Sequence, residues 1–323
     1  MLAMLLPTLL GFAVFMLGMK IMELALYRWA GPSLSVAIRS GTATPLRGML
    51  VSAGATAVLQ SSTAVTVIAI GLVNARLLSY RRTLGIILGT NIGSCVTTEL
   101  IGLRLDRLAP PLLACSLAAW LLTALLDEYG LHPAARAPAW LRPMRYGAVA
   151  CAGFALLVQG IGIMQSIAPH LETSPLLGAL LSRASERALV GLALGAVLAA
   201  LLHSSAAAIG LVMGLVLHGT MPPEAGIAFV LGANVGTCAT ALLASLGGSA
   251  SGRFVAWTHT LLNVGGAALC LPFLGALQTV SAALAHDPAS QIAHAQTIFN
   301  VASSLLALPL CYLPALRSRA AAD

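Results

Sequence analysis

Charge is scarce in this sequence. Only 8% of its 323 residues are Asp, Glu, Lys or Arg, while 59% are hydrophobic and the mean hydropathy is +0.93. A water-soluble domain of this length needs far more charge to cover its surface, so soluble enzymes and binding modules are excluded. The six cysteines include no CxxC pair, which argues against both a disulfide framework and a zinc site. A Walker A loop, an HExxH helix and a GxSxG elbow are all missing, and ATP-driven transport, zinc proteolysis and α/β-hydrolase chemistry lose their usual signatures with them. The start, MLAMLLPTLLGFAVFMLGMKIM, has no basic n-region and no small-residue cleavage site, and reads as a retained first helix. The net charge of +7 comes from basic residues scattered between apolar runs, which is the pattern of topology determinants and not of a nucleic-acid surface. What remains is an all-α polytopic membrane protein in a lipid bilayer.

Nine apolar stretches follow one another, at roughly 4–27, 46–76, 82–103, 108–127, 144–168, 187–217, 223–246, 253–277 and 291–316. Crossing ~30 Å of hydrocarbon takes ~20 helical residues. The stretches 46–76 and 187–217 are too long for one simple span and too short for two. Each is split by a polar cluster, Gln60-Ser61-Ser62 in one and His203-Ser204-Ser205 in the other. About thirteen residues on either side give ~20 Å of helix, enough to pass the midplane and return, so both are predicted as re-entrant hairpins. With the N-terminus outside, this topology puts twelve arginines in inner loops (Arg28, Arg39, Arg47, Arg76, Arg81, Arg82, Arg136, Arg142, Arg145, Arg253, Arg317, Arg319) and four in outer loops (Arg104, Arg107, Arg183, Arg187). If each long stretch crossed once the division would be ten to six, so the positive-inside rule prefers hairpins.

The sequence is also internally repeated. At a constant offset of 143 residues, Gln60–Leu100 aligns without a gap on His203–Leu243, with identities at Ser61/Ser204, Ser62/Ser205, Gly89/Gly232, Asn91/Asn234, Gly93/Gly236, Cys95/Cys238 and Thr97/Thr240. Three true crossings per unit make the second copy upside down relative to the first, the inverted-repeat arrangement of many secondary transporters. The expected organisation is one transmembrane transport domain over 1–323, with repeat 1 at about 4–127, repeat 2 at about 144–277 and an added helix at about 291–316. Each repeat is expected to carry a re-entrant hairpin and a discontinuous helix.

Each copy therefore carries two polar clusters at matched spacing, (Q/H)SS and G-x-N-x-G-x-C-x-T. A half-helix that starts at Ser61 or Ser204 points free N–H groups and a positive dipole end at whatever faces it, which suits an anion. The hydroxyls of Ser61, Ser62, Ser204 and Ser205 and the amides of Asn91 and Asn234 add donors, while nearby carbonyl and hydroxyl oxygens suit a hard cation. Plainer readings stand beside these. Ser and Thr bond back to their own helices, and Gly85-x3-Gly89-x3-Gly93 and Gly232-x3-Gly236 read equally well as close-packing seams. Two copies of both clusters at one spacing weigh against the plain reading for the set as a whole. Lys20 and Glu23 pair at i,i+3, and Glu99, opposite Leu242 in the other copy, is open to a structural, a gating or a cation-site role. No arginine falls inside the membrane to neutralise an anion, so an anionic substrate would need co-bound cations and helix dipoles, which argues for symport.

At Gly18-Met19-Lys20-Ile21-Met22, Gln60-Ser61-Ser62, Gly89-Thr90-Asn91-Ile92-Gly93, Gly232-Ala233-Asn234-Val235-Gly236, His259-Thr260-Leu261-Leu262-Asn263 and Gln296-Thr297-Ile298-Phe299-Asn300, the sequence resembles the type II sodium–phosphate cotransporter family over nearly its whole length. The resemblance implies hairpin tips that form phosphate and Na+ sites. It makes Ser61, Ser62, Asn91, Ser204, Ser205 and Asn234 substrate candidates, and Gln60, Thr63, Thr66, Thr97 and Thr240 sodium candidates. It implies inorganic phosphate and Na+ as the bound species, no cofactor beyond coupling sodium ions, and no enzymatic activity. The expected location is a bacterial inner membrane, with the N-terminus outside and the C-terminus cytoplasmic. Two departures stand out. His203 replaces the family's usual Gln and is either neutral and hydrogen-bonded or a titrating, pH-sensitive group. Ala206 and Ile209 replace the oxygen-bearing Thr63 and Thr66 of the first copy, which points to fewer coupled sodium ions. The cytoplasmic PhoU-like domain of many bacterial members is not expected here. Alternatives are a sodium- or proton-coupled carrier of another small oxyanion, or a phosphate exporter. An intramembrane serine hydrolase is disfavoured because adjacent His203 and Ser204 side chains would diverge on a helix, and a purely structural scaffold would tolerate loss of Ser62 and Ser205.

Overall fold

The computed structural model describes residues 2–75, 77–78, 80–128, 139–166 and 175–312. Among these residues the secondary structure is helical, with no strand: α1 (Leu2–Gly41), α2 (Pro45–Leu59), α3 (Ser62–Asn74), α4 (Tyr80–Gly102), α5 (Ala109–Glu128), α6 (Leu141–Gln165), α7 (Pro175–Glu186), α8 (Ala188–Leu202), α9 (Ser205–Leu217), α10 (Pro223–Gly236), α11 (Cys238–Ser245), α12 (Ala250–Cys270), α13 (Leu274–Leu284) and α14 (Pro288–Ala307). Seven stretches among them are long and apolar enough to cross a membrane: Leu6–Gly31, Arg82–Gly102, Ala109–Glu128, Leu141–Gln165, Pro223–Ser245, Gly252–Leu284 and Pro288–Tyr312. These are the seven apolar runs expected to cross. The two expected to return are helix pairs, α2 with α3 and α8 with α9, whose members at 13–15 residues reach only about 20 Å.

The repeat holds to the residue. Adding 143 to the bounds of α2, α3 and α4 gives those of α8, α9 and the combined α10–α11. The interruption expected in the helix after each hairpin is present in the second copy alone, at Thr237, where the ladder tightens to an i,i−3 bond from Thr240 N to Thr237 O at 3.2 Å; α4 runs unbroken. Two further differences concern helix ends. α1 continues past 27 to Gly41, and α7 precedes the second hairpin where no helix was expected. Arg76, Arg136, Arg317 and Arg319, used in the topology count, lie outside the described residues.

By contact the chain divides into two units. One holds α1 to Ser33, residues Val58–Gln60, α5 and α6. Here α1 and α6 meet backbone to backbone. A Cβ on Gly18 would lie 2.5 Å from the Gly153 carbonyl oxygen, one on Gly153 would lie 2.6 Å from that of Gly18, and Gly11 and Gly160 repeat the arrangement two turns away. Only glycine permits such an approach, and in lipid close backbone packing replaces the hydrophobic drive that a water-soluble core would have. Lys20 Nζ meets Glu23 Oε2 at 2.7 Å, as the i,i+3 spacing requires.

The second unit holds α2 to Ala57, α3, α4 and everything from α7 onward. Its helices interlock through the repeated glycines. A Cβ on Gly85, Gly89 or Gly93 of α4 would strike the backbone of α2 at Pro45, Met49 or Ala53, and a Cβ on Gly232 or Gly236 would strike that of α8 at Leu192 or Ala196. The glycines of both G-x-N-x-G motifs are thus packing residues, and the motif splits by helical geometry. Gly89 and Gly93 share one face at i,i+4, whereas Asn91 and Cys95, two residues on, share the opposite face. One sequence motif glues α4 to its hairpin and aims a polar pair the other way.

Candidate functional site

Within this second unit the tip of α3, at the first hairpin break, meets polar residues of the α10–α11 junction and of α12. At each break the chain makes the same three-step turn. Gln60 and His203 end their helices in the left-handed region, at φ 53° and 50°. Ser61 and Ser204 follow in extended conformation, at φ −148° and −154°. Ser62 and Ser205 then open α3 and α9. The Ser61 hydroxyl oxygen accepts from Ala64 N–H at 3.2 Å, and that of Ser204 accepts from Ala207 N–H at 3.2 Å. Left-handed closure and a Ser N-cap are standard ways to end and restart a helix, each with a known sequence preference. The first-turn amides of Ser62 and Thr63, and of Ser205 and Ala206, have no intrahelical acceptor.

From the α3 tip a small cavity runs one helical turn inward. It is lined by Ser62, Thr63, Thr66 and Val67 of α3, by Thr237, Thr240 and Ala241 at the α10–α11 junction, and by His259 of α12. Thr66 is 3% exposed and its hydroxyl has no hydrogen-bond partner; His259 is 6% exposed and its Nδ1 has none either. An unsatisfied buried polar atom costs about 1–3 kcal/mol. The cavity measures about 10 Å3, room for one water-sized body. A small space lined by hydroxyl oxygens suits a water or a bare monovalent cation.

Beyond His259 the network reaches the asparagines. His259 Nε2 lies 3.2 Å from Asn91 Oδ1, and Asn91 Nδ2 donates to Asn263 Oδ1 at 3.3 Å. On the other side Asn300 Nδ2 donates to Asn234 Oδ1 at 3.3 Å. Cys95 Sγ faces the Gln296 carbonyl at 3.8 Å, and Cys238 Sγ faces the His259 carbonyl at 3.8 Å. Exchanging 91 with 234, 95 with 238, 259 with 296 and 263 with 300 maps the Asn91–Asn263 contact onto Asn234–Asn300 and the Cys95–Gln296 contact onto Cys238–His259, a twofold pattern that the His259–Asn91 contact breaks, since Gln296 Oε1 accepts from Thr98 instead. His259-x3-Asn263 and Gln296-x3-Asn300 are thereby equivalent partners of the two repeats.

Of the sequence-level candidates, Ser62, Thr63, Thr66 and Thr240 come together in the cavity, and Asn91 is tied to it through His259. Asn234 is buried against Asn300. Ser61 and Ser204 cap their helices, Ser205 opens α9, and Thr97 is buried outside the cavity lining. Gln60 and His203 hold the left-handed turns, His203 with its side chain exposed. Glu99 is engaged elsewhere. It accepts from Thr297 Oγ1 at 2.5 Å and meets His294 Nδ1 at 3.0 Å, bridging α4 to α14. Sequence reasoning gave no role to Thr237, His259, Asn263, Gln296 or Asn300. The signal was present in the shared T-x-x-N of the two late motifs, but it acquires meaning only when α12 and α14 are seen to flank the repeated asparagines.

Comparison with known proteins places the chain in a family. The family described as Na+/Pi-cotransporter matches the chain twice in succession, at residues 14–166 and 156–310. The chain is 34% identical to the uncharacterized protein YqeW of Bacillus subtilis over 299 residues, 93% of this chain and 92% of that protein. It is 26% identical to the putative inorganic phosphate export protein YjbB of Escherichia coli K12 and to the protein of that name in Salmonella typhimurium, and it spans about half the length of each, 52% and 53%. No solved structure matches. With two consecutive matches that together run from residue 14 to residue 310, and seven apolar helices long enough to cross a membrane among the described residues, this is a multi-pass membrane protein that belongs to the Na+/Pi-cotransporter family.

Proposed function

We propose that the protein is a sodium-coupled secondary transporter of inorganic phosphate, working by alternating access around the two hairpin tips. The family and the phosphate-export name of its YjbB relatives support phosphate transport. The observation that carries the sodium half is the cavity at the α3 tip, whose size and oxygen lining suit one bare monovalent cation. Phosphate is assigned to the tips themselves, where the amides of Ser62, Thr63, Ser205 and Ala206 and the donors of Ser61, Ser62, Ser204, Ser205, Asn91 and Asn234 supply hydrogen bonds and two helix dipoles supply positive potential. Of the sodium candidates, Thr63, Thr66 and Thr240 are favoured over Gln60 and Thr97 by their place in the cavity lining.

The two copies are read as inverted within one transport domain. Each contributes three crossings (α1, α4, α5, then α6, α10–α11, α12), an odd number, and the twofold bonding pattern around Asn91 and Asn234 is what an inverted pair would produce. The protein resides in a bacterial inner membrane with its N-terminus outside. It acts as a carrier and not as a hydrolase, the Ser204 hydroxyl serving as a helix cap. A second reading, phosphate export, rests on the name of the YjbB proteins and differs in direction, not in site.

The test is radiolabelled phosphate uptake into proteoliposomes under an imposed Na+ gradient, with K+ and choline controls, for the wild type and for Ser62→Ala/Ser205→Ala. Uptake that requires Na+ and disappears in the double variant is expected. Proton-driven uptake without Na+ would keep the substrate and overturn the coupling ion, and sulfate uptake in place of phosphate would overturn the substrate.

A further inference from the structure

His259 faces two environments with its two ring nitrogens. Because Asn91 Nδ2 donates to Asn263, Asn91 Oδ1 is an acceptor, and the hydrogen of the 3.2 Å contact lies on His259 Nε2. The neutral ring then carries its lone pair on Nδ1. That atom is buried without a partner, on a ring that lines the tip cavity together with Thr66, whose hydroxyl is equally unpartnered. The imidazole thus stands between a cavity of cation size and an asparagine of the tip network.

We propose that His259 is the positioning residue that couples cation occupancy to the substrate-facing orientation of Asn91. This rests on the sodium–phosphate reading given above. A cation in the cavity takes the Nδ1 lone pair and holds the ring in its Nε2–H tautomer. Nε2–H keeps Asn91 Oδ1 turned toward His259, so that the Asn91 NH2 group faces away with one hydrogen bonded to Asn263 and one left for an anion. With the cavity vacant the ring is free to carry its hydrogen on Nδ1. Nε2 then becomes an acceptor set against an acceptor, so the bond that holds the Asn91 amide is lost and its NH2 group is no longer fixed toward the anion site. Cation binding and anion binding are linked through the orientation of one amide.

The device exists once. The twofold counterpart of His259 is Gln296, whose Oε1 accepts from Thr98 and which has no second ring nitrogen with which to bridge. In the second copy Ala206 and the fully buried Ile209 stand where Thr63 and Thr66 line the cavity of the first. The coupling is therefore asymmetric between the repeats.

Two substitutions separate the two nitrogens. In His259→Gln the terminal amide reaches the place of Nε2 and preserves the bond to Asn91 while removing the cavity-side acceptor; in His259→Asn the shorter amide preserves an oxygen near the place of Nδ1 and loses Asn91. Phosphate uptake in proteoliposomes, measured against Na+ at saturating phosphate and against phosphate at saturating Na+, reads both sides. For His259→Gln the half-activating Na+ concentration should rise roughly tenfold with the phosphate KM within about twofold of wild type, and His259→Asn should show the opposite split. Thr66→Val, which removes the cavity hydroxyl at almost constant shape, should repeat the His259→Gln pattern and guards against misfolding of the histidine variants. If wild-type uptake ignores Na+, the sodium–phosphate reading falls and this inference with it. If wild-type uptake requires Na+ but His259→Gln and Thr66→Val leave its activation unchanged, the cavity holds a structural water, and the inference alone is overturned. Parallel losses in both parameters for both histidine variants overturn it as well.

Discussion

Replacing His203 by glycine separates what the second hairpin needs from its backbone and what it needs from its side chain. His203 ends α8 at φ 50° and ψ 27°. Holding a non-glycine residue in that left-handed conformation costs roughly 1–2 kcal/mol. Glycine removes that cost but gives back roughly 0.5–1 kcal/mol through the greater entropy of its unfolded chain. Because the side chain is exposed, little packing is lost. The balance lies between no change and a gain of about 1.5 kcal/mol. Unfolding free energies of wild type and His203→Gly, titrated from mild into denaturing detergent, check the magnitude, and phosphate uptake by the same preparations checks function. A position required only for its backbone would be served best by glycine, so a stable but transport-deficient variant is the expected outcome. A loss of more than about 1 kcal/mol would refute the strain argument, since it would mean that contacts of the imidazole hold the turn together. Unimpaired uptake with stability intact would remove His203 from the site.

Other consequences are as direct. Gly232→Ala, whose new methyl would overlap the Leu192 carbonyl of α8, should destabilise the protein by about 1–3 kcal/mol, while Gly71→Ala, with no atom within 4 Å of the new carbon, should be neutral or stabilising by up to about 1 kcal/mol, both read by the same detergent titration. Ala206→Thr with Ile209→Thr rebuilds the missing hydroxyls of the second copy. It should turn a hyperbolic dependence of uptake on Na+ into a sigmoidal one, and an unchanged curve would mean that oxygen count does not set the number of coupled ions.

The break at each polar cluster was legible because three local rules agree on it. An apolar run of awkward length, a Ser able to cap a helix and a second copy at the same offset leave one economical geometry, and the 143-residue spacing of the helix bounds follows. Local rules were silent on the glycines of G-x-N-x-G, where packing and function were equally good readings. Neighbouring helices resolve this, since Gly89 and Gly93 abut α2 while Asn91 and Cys95 turn toward α12 and α14.

By itself, then, the sequence determined that the chain enters a membrane, that it is built twice, and where its helices break and restart, because these depend on hydropathy, spacing and capping within a few turns of helix. Only the tertiary structure decided which hydroxyls share a cavity, that Thr237 and His259 complete it, that Glu99 is engaged with His294 and Thr297 instead, and that each repeated asparagine meets a partner from a late helix. Those relations join residues up to 198 positions apart, and a contact across such a separation is set by how helices pack, which no local pattern encodes.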